Sequence, residues 1–496
     1  MFKSSSIVFF ALVIIRLFGF LFNSLLTKNI TQEEYGSYTF AWSVAQLGAG
    51  ILLLGISPAT AYYIAFNRGK GDIKRAKSYI KTGFIAVVIL ILISVLGFTG
   101  INLLFPEIFS LNGELLLFML LMFMTHGTGF FFSLVISGFR KPEIGNMFSA
   151  VTPIASYLFL IVLSFSGYGF YQILISIVIS LAIQYILCTV YVLKNWGFDG
   201  EFKPGMIKDL VRFGIPLVFM DVSNGLLWGA GVYVIKFYNS FADVGIFWAA
   251  SMITGAVLIF PQAMLSIFSP VVSELFGRGD KEKIEHISSY IIERLLMLSL
   301  PLIAILLLFP EGILKIVFTQ DYSSGAISMQ ILSVSAFLTG IYLFFITVIN
   351  TSGHPQQNSK IMFMGATANV ISSIILVKYF GINGASMASL ISSAVILAVS
   401  FKLARRLVRI IIYRDRVLKI MLALISALPL IYLIKINFTN LLWAFFISLV
   451  VLLITYTMAL LLLKAFREED MFLLKAVLGE RKLNISILKI LQKGIS

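Results

Sequence analysis

The sequence predicts an all-α protein that crosses a membrane many times. Of its 496 residues, 59% are hydrophobic and only 12% are charged, and the mean hydropathy is +0.98. No soluble core could bury this much apolar surface. Apolar stretches recur along the chain without strand-like alternation, and in lipid only helices or closed barrels satisfy the backbone. These observations exclude a soluble enzyme, a nucleic-acid-binding domain and a disulfide-stabilised scaffold.

We expect fourteen membrane-spanning helices, because each stretch is long enough to cross a bilayer. Their approximate ranges are 6–27, 37–65, 79–105, 114–138, 145–166, 170–193, 208–236, 245–274, 287–310, 326–351, 359–379, 384–403, 417–435 and 441–464. The first stretch is too long for the apolar region of a signal peptide and has no small-residue cleavage site, so we interpret it as the first span.

The distribution of Lys and Arg predicts the orientation. The chain has 38 Lys and Arg against 23 Asp and Glu, a net charge of +15. With the N-terminus in the cytoplasm, most cations fall in the cytoplasmic loops at 68–81, 140–141, 194–212, 278–283 and 402–419. This bias predicts a plasma-membrane protein with both ends in the cytoplasm. The tail mixes apolar and basic residues, which predicts an amphipathic helix on the inner leaflet or, alternatively, a solvated tail.

An internal repeat connects two groups of six spans. Leu-Phe-Pro-Glu ends the third span at 104–107 and the ninth at 308–311, and Gly-Asp follows the second span at 71–72 and the eighth at 279–280. Two further pairs occur in the same order, Tyr35-Gly36 with Val244-Gly245 and Ser137-Gly138 with Ser352-Gly353.

A six-span unit has both ends on one side of the membrane, so its duplication predicts parallel repeats with a substrate site between them. We therefore expect an N-terminal lobe at 1–194, a cytoplasmic linker at 195–206, a C-terminal lobe at 207–404, two extra spans at 405–464 and the tail at 465–496.

Several stretches resemble the polysaccharide-transporter branch of the MOP flippase superfamily, which also contains the lipid II flippases and the MATE drug exporters. They are 36–55, Phe213-Gly-Ile-Pro216, 244–270 and 379–385. The resemblance implies a V-shaped pair of six-helix lobes with two extra helices. It also implies a flippase, not an enzyme, that moves polyprenyl- or dolichyl-diphosphate-linked sugars to the outer leaflet by alternating access. We expect a monomer in the bilayer, with no nucleic-acid partner.

Arg16 lies in the middle of the first predicted span. An ionisable side chain at this depth usually faces a cavity or a partner. Its guanidinium could hold two oxygens of a diphosphate at once. The alternative is a contact that joins the first span to a neighbouring helix.

Other polar side chains are predicted substrate contacts. Lys81, Arg212 and Arg294 are expected at the cytoplasmic mouth, where they attract the substrate or extend to the membrane interface. Gln46 and Asn224 are expected to hydrogen-bond sugar hydroxyls, or only to join helices.

The resemblance also implies a sodium site. Some lipid II flippases bind sodium with an aspartate on span seven, an Asn/Asp pair on span eleven, and a carbonyl and a threonine on span twelve. The matching positions are Asp221, Asn369, Ser373, Ala385 and Ser389. Because Ser373 stands in place of a carboxylate, a structural hydrogen-bond cluster is the alternative.

A proton is the other coupling ion to consider. His126 lies within the fourth predicted span and could relay a proton, or simply pack against Gly127 and Gly129. No other cofactor is expected, since one cysteine and three histidines argue against a zinc site.

Three other functions compete with flipping. A cation-coupled exporter of MATE type belongs to the same superfamily, but fourteen spans and a basic first lobe argue against it. A membrane glycosyltransferase or polymerase usually needs an acidic pair or a large outer loop, and Glu33-Glu34 is the only outer acidic pair. A channel is disfavoured because nothing resembles a selectivity filter.

Overall fold

The computed structural model describes residues 2–104, 112–167, 169–409, 413–438 and 440–466. This part of the chain is 91% helical and has no strands. Its α-helices are α1 (Phe2–Asn29), α2 (Gln32–Leu52), α3 (Ile56–Gly69), α4 (Ile73–Leu104), α5 (Gly113–Gly138), α6 (Pro142–Ser166), α7 (Phe170–Trp196), α8 (Pro204–Tyr238), α9 (Phe241–Gly255), α10 (Ile259–Arg278), α11 (Lys281–Leu308), α12 (Pro310–Val317), α13 (Ala326–Thr351), α14 (Pro355–Leu407), α15 (Arg414–Asn437) and α16 (Leu441–Leu462). The predicted amphipathic tail and most of the first Leu-Phe-Pro-Glu motif lie outside the described residues.

Within the described residues, eleven helical segments are long and apolar enough to cross a membrane, or twelve if the bent pair α2–α3 is one span. The all-helical prediction is confirmed, whereas the count of fourteen stays a prediction. Part of the difference arises in α14, which covers both the eleventh and the twelfth predicted spans. A break at Gly381, with φ 53° and ψ −132°, divides this 53-residue element into two helices.

The chain packs into two compact units. The first contains Met1–Met252 and Met362–Ser392, and the second contains Ile253–Ile361 and Ser393–Ser496. The lobe boundaries at 194 and 207 stay a prediction.

The repeated Gly-Asp motifs have the same local structure. Gly71 and Gly279 both have positive φ, 79° and 72°. The Asp72 carboxylate accepts the Arg75 N–H at 2.9 Å, and the Asp280 carboxylate accepts the Lys283 N–H at 3.3 Å. In each case a glycine follows the end of one helix and an aspartate caps the next. The two copies of the repeat therefore share local structure as well as sequence.

The repeated Tyr35-Gly36 and Val244-Gly245 motifs also have matching local structure. Thr31 and Glu34 form a capping box at the start of α2, and Ser240 and Asp243 make the equivalent reciprocal bonds before α9. The two helix starts then cross at their glycines. A Cβ on Gly36 would lie 1.7 Å from the Phe241 carbonyl oxygen, so glycine is required for this approach.

The segment between α7 and α8 is held against α4 by polar contacts. The Lys77 ammonium donates to the Asp199 carboxylate at 2.9 Å, and this hydrogen bond lowers the pKa of Asp199 below its usual range. Thr82 Oγ1 accepts the Lys203 backbone N–H at 3.1 Å. These contacts hold the start of α8 against α4.

A sharp bend separates α2 from α3. The two helices meet at 51°, and both Leu54 and Gly55 have positive φ, 49° and 65°. This backbone lies directly against α8, because a Cβ on Gly214 would lie 2.3 Å from the Leu54 carbonyl oxygen.

Adding a methyl group at Gly214 tests this contact. Gly214→Ala forces the two backbones apart, so we expect it to lower the free energy of unfolding by about 1–3 kcal/mol. Thermal unfolding of the purified protein measures the loss. Gly97→Ala in α4 is the matched control, since nothing lies within 4 Å of its added Cβ. Equal stability of the two variants would contradict the proposed contact.

Candidate functional site

The first unit contains a cavity of about 400 Å³ between α2, α3, α5, α8 and α9. This volume is typical of a small-molecule site. The bend between α2 and α3 forms part of its wall through Leu53 and Gly55. Its lining includes Trp42, Gln46, Ser57, His126, Phe130, Asp221, Asn224, Trp228, Tyr233 and Trp248.

Aromatic rings form much of the wall. Trp42, Trp228 and Trp248 are three of the five tryptophans of the chain. His126 lies 6.4 Å from Trp42 between ring centroids and stacks on Phe130 at 6.2 Å. These rings offer flat apolar faces that are rigid on the scale of a small ligand.

Polar side chains from α2 and α8 complete the lining. Asp221, Asn224 and Trp228 are spaced three and four residues apart, so they share one face of α8. Trp42 and Gln46 are one turn apart on α2. The Tyr233 hydroxyl donates to the Ser43 carbonyl at 2.8 Å, which ties the two helices together beside the cavity.

The electrostatics of this lining are asymmetric. Asp221 is exposed to the cavity and makes no ion pair or hydrogen bond within the described residues. No lysine or arginine is among the lining residues that the structure describes. The buried Ser57 hydroxyl also has no hydrogen-bond partner in the described chain. The cavity therefore presents hydrogen-bonding groups and one acid, but no cation.

The five predicted sodium ligands fall into separate groups. The Asn369 side-chain amide donates to the Leu227 carbonyl at 2.9 Å, and Ser373 donates to Asn369 Oδ1 at 3.3 Å. Leu227 is six residues beyond Asp221, about 9 Å along the helix axis. The structure thus pairs Asn369 with Ser373, whereas Asp221 lines the cavity.

The remaining two residues lie on the second half of α14. The Ser389 hydroxyl donates to the Ala385 carbonyl at 3.1 Å, one turn earlier in its own helix. Ala385 is buried against Gly231 of α8, where an added Cβ would lie 3.3 Å from the Ala385 Cβ. The sodium site on these residues stays a prediction.

Three of the predicted substrate cations lie outside the cavity lining. Arg16 on α1 is exposed and makes no hydrogen bond or ion pair with the described residues. Lys81 on α4 is half-buried, and Arg212 on α8 is exposed. Arg212 precedes Phe213, whose ring stacks on Tyr62 at 4.2 Å.

Arg294 is buried in the second unit. Its guanidinium donates to Met297 Sδ at 2.8 Å and to the Ala465 carbonyl at 3.3 Å, and lies 5.1 Å from the Tyr290 ring centroid. Glu293 is 4.0 Å away. These contacts join α11 to the segment that follows α16. The role of Arg294 in substrate binding stays a prediction.

The tryptophans were not predicted as site residues. In a chain with 14% aromatic residues, a single Trp on a spanning helix carries little information. Helical spacing was the available signal, because Trp42 lies one turn from Gln46 and Trp228 lies one turn from Asn224.

The fold of this chain is that of the MOP transporters. A multidrug-resistance MATE transporter in an inward-facing conformation is similar with a TM-score of 0.68 and 16% identity, over 79% of this chain and 94% of that one. The lipid II flippase MurJ, in an inward-closed conformation, is similar with a TM-score of 0.71 and 15% identity, over 91% of this chain and 97% of that one.

The family follows from sequence comparison. The family model described as "Polysaccharide biosynthesis protein" matches residues 1–276, more than half of the chain and all of the cavity lining. The chain belongs to this polysaccharide biosynthesis protein family, which confirms the resemblance seen in the sequence.

Several curated relatives come from archaea. An uncharacterized membrane protein of Methanocaldococcus jannaschii is 25% identical over 52% of this chain and 52% of its own length. The "Probable low-salt glycan biosynthesis flippase Agl15" of Haloferax volcanii is 26% identical over 33% of this chain and 35% of its own length. This chain thus spans about half or less of these relatives. The "Probable flippase AglR" of Haloferax volcanii is 24% identical over 73% of this chain and 78% of its own length.

Asp221 is the only carboxylate in the predicted sodium set, so Asp221→Asn tests that site. We expect any rise in melting temperature that sodium produces in the wild type to be lost in this variant, because the substitution keeps the size and removes the charge. Potassium is the control cation. A sodium-dependent rise of equal size in both proteins would contradict the predicted site.

Proposed function

We propose that this protein is a flippase that moves lipid-linked glycan units from the cytoplasmic to the outer leaflet. The proposal rests on the properties of the cavity. This cavity lies within the family-matched part of the chain, and it offers aromatic faces and amides to a polar ligand in a protein otherwise built of apolar helices. A sugar leaving water for the bilayer needs such partners, since burying hydroxyls without hydrogen bonds is costly.

In this proposal the glycan occupies the cavity while the polyprenyl or dolichyl chain remains in lipid. Gln46 and Asn224 hydrogen-bond sugar hydroxyls, and the tryptophans pack on the apolar faces of the rings. The diphosphate binds outside the cavity lining, where Lys81, Arg212 and Arg16 supply positive charge. The protein acts as a transporter and not as an enzyme.

The proposed topology comprises fourteen spans in two six-helix lobes with two extra helices. Both ends lie in the cytoplasm, and the protein works as a monomer in the plasma membrane. Membrane-impermeant labelling of single cysteines in the 68–81 and 194–212 loops tests the orientation. Labelling of both loops from outside intact cells would contradict it.

A MATE-type exporter is the second candidate function, and Asp221 is the observation that favours it. An unpaired carboxylate among tryptophans suits an organic cation as well as a sugar. Uptake of an organic cation into proteoliposomes, in the absence of lipid-linked glycan flipping, would favour this alternative.

Reconstituted flipping tests both the main proposal and Arg16. Proteoliposomes with the wild type should expose a lipid-linked sugar to an external lectin faster than empty liposomes. Arg16→Ala should slow this exposure about tenfold or more, because charge-assisted phosphate contacts contribute about 1.5–3 kcal/mol each. Arg16→Lys should retain part of the rate.

Lys28→Ala is the matched control for Arg16, since it removes another exposed cation from the same helix. Full activity in a folded Arg16→Ala protein would contradict the role of Arg16. No flipping by the wild type would contradict the proposed function itself.

Alternating access is tested at the crossing of α2 with α9, which we propose closes the outer end. Gly36→Val should hold these helix starts apart. In a Cys188→Ala background, a cysteine introduced by Gln46→Cys should then react with an impermeant maleimide from outside. Flipping is measured separately with Gln46 intact, and Gly36→Val should lower it. Gly97→Val is the matched control. Unchanged labelling and flipping in Gly36→Val would contradict the proposed outer closure.

A further inference from the structure

The charge of the cavity bears on which sugars it accepts. Among the described residues that line it, Asp221 is the only carboxylate, and neither lysine nor arginine is present to balance it. His126 and the Tyr233 phenol are the other titratable groups of the lining. The Tyr233 hydroxyl donates to the Ser43 carbonyl at 2.8 Å, and the His126 ring stacks on Phe130 and lies at a tilt beside Trp42.

A ligand carboxylate in this cavity would meet repulsion without compensation. Two like charges interact more strongly in a water-poor site than in bulk water. The negative faces of the surrounding tryptophans add to the repulsion, because an aromatic ring carries its partial negative charge on its face. An unpaired anion would also lose hydration, and the neutral amides of the lining would not balance its charge.

A ligand ammonium group would be attracted by the same features. Asp221 supplies a counter-ion at one turn from Asn224, and Trp228 follows on the same face of α8. Cation–π attraction acts in the same direction as the carboxylate. Neutral sugars should bind with intermediate affinity, since the Gln46 and Asn224 amides can bond to their hydroxyl or amide groups.

We propose that this cavity selects glycans by charge, accepting amino-bearing and neutral sugars and rejecting sugars that carry a carboxylate, with Asp221 as the specificity-determining residue. The inference rests on the proposed flippase function and specifies the glycan class. It places the negative diphosphate of the carrier away from the cavity wall, and it assigns no role to Asp221 in binding the lipid.

Tryptophan fluorescence tests the proposal without transport. In a Trp196→Phe, Trp443→Phe background, the three remaining tryptophans all line the cavity. The probes are methyl glucosaminide, methyl glucoside and methyl glucuronide, titrated in sodium-free potassium buffer at pH 6.5. We expect the glucosaminide to bind tightest and the glucuronide weakest, with a ratio of about tenfold or more, which corresponds to about 1.4 kcal/mol.

Removing the charge of Asp221 should abolish the difference in affinity between the three sugars. In Asp221→Asn the three sugars should bind with affinities within about threefold of one another, a difference below 1 kcal/mol. Asp221→Ser serves in its place if the asparagine variant does not fold. Glu33→Gln, which removes an exposed acid outside the cavity, should keep the wild-type order. Asn224→Ala should weaken all three sugars alike.

Three results would overturn the proposal. They are glucuronide binding as tight as glucosaminide in the wild type, an unchanged order in the Asp221 variants, and no quenching by any of the sugars. Flipping of a neutral lipid-linked glycan in proteoliposomes is measured in parallel. Intact flipping with no charge discrimination overturns this inference alone, whereas absent flipping overturns the proposed function.

Discussion

A chain in hydrocarbon must satisfy its own backbone, and this constraint explains why the bend between α2 and α3 is informative. Irregular backbone at membrane depth is tolerated where it is packed in protein or lines a cavity. Both conditions hold here. Leu54 and Gly55 lie against Gly214 of α8, and Leu53 and Gly55 form part of the cavity wall. The bend also keeps its hydrogen bonds, since the Ile56 N–H donates to the Leu53 carbonyl at 3.0 Å. The cavity therefore depends on a contact between two glycines that no side chain could replace.

Around this bend, the molecule separates two kinds of polar group. Buried hydroxyls and amides such as Ser373 and Asn369 bond to other protein atoms, and the Asn369 bond to the Leu227 carbonyl joins two helices. Asp221, Asn224 and Gln46 instead line open space between aromatic rings. Polar residues of the first kind stabilise a bundle, whereas those of the second kind are available to a ligand. This division underlies the proposal that glycans bind in the cavity, and it distinguishes the lining from the cations on α1, α4 and α8.

The family relationship and the fold agree at a general level. The family model places the chain in the polysaccharide biosynthesis protein family, and the structural similarity to a lipid II flippase and to multidrug-resistance MATE transporters shows a fold shared with both kinds of protein. An acidic, tryptophan-lined cavity is compatible with either candidate function. Both candidate functions therefore depend on the charge of the ligand that the cavity binds, and this property can be measured directly.

The sequence by itself determined the helical membrane class, the Gly-Asp and Tyr-Gly repeat motifs and the family resemblance, because hydropathy and local capping depend on residues close together in the chain. It also identified Asp221, Asn224 and Gln46, whose polarity is conspicuous in apolar helices. Only the tertiary structure decided that these three share a cavity with Trp42, Trp228 and Trp248, that Asn369 bonds to Leu227, and that Arg294 is packed beside Ala465. A hydropathy pattern shows that a side chain is in a span, but it does not show which neighbour the helix turns it toward. That depends on close backbone contacts such as Gly55 with Gly214, which join residues far apart in the sequence.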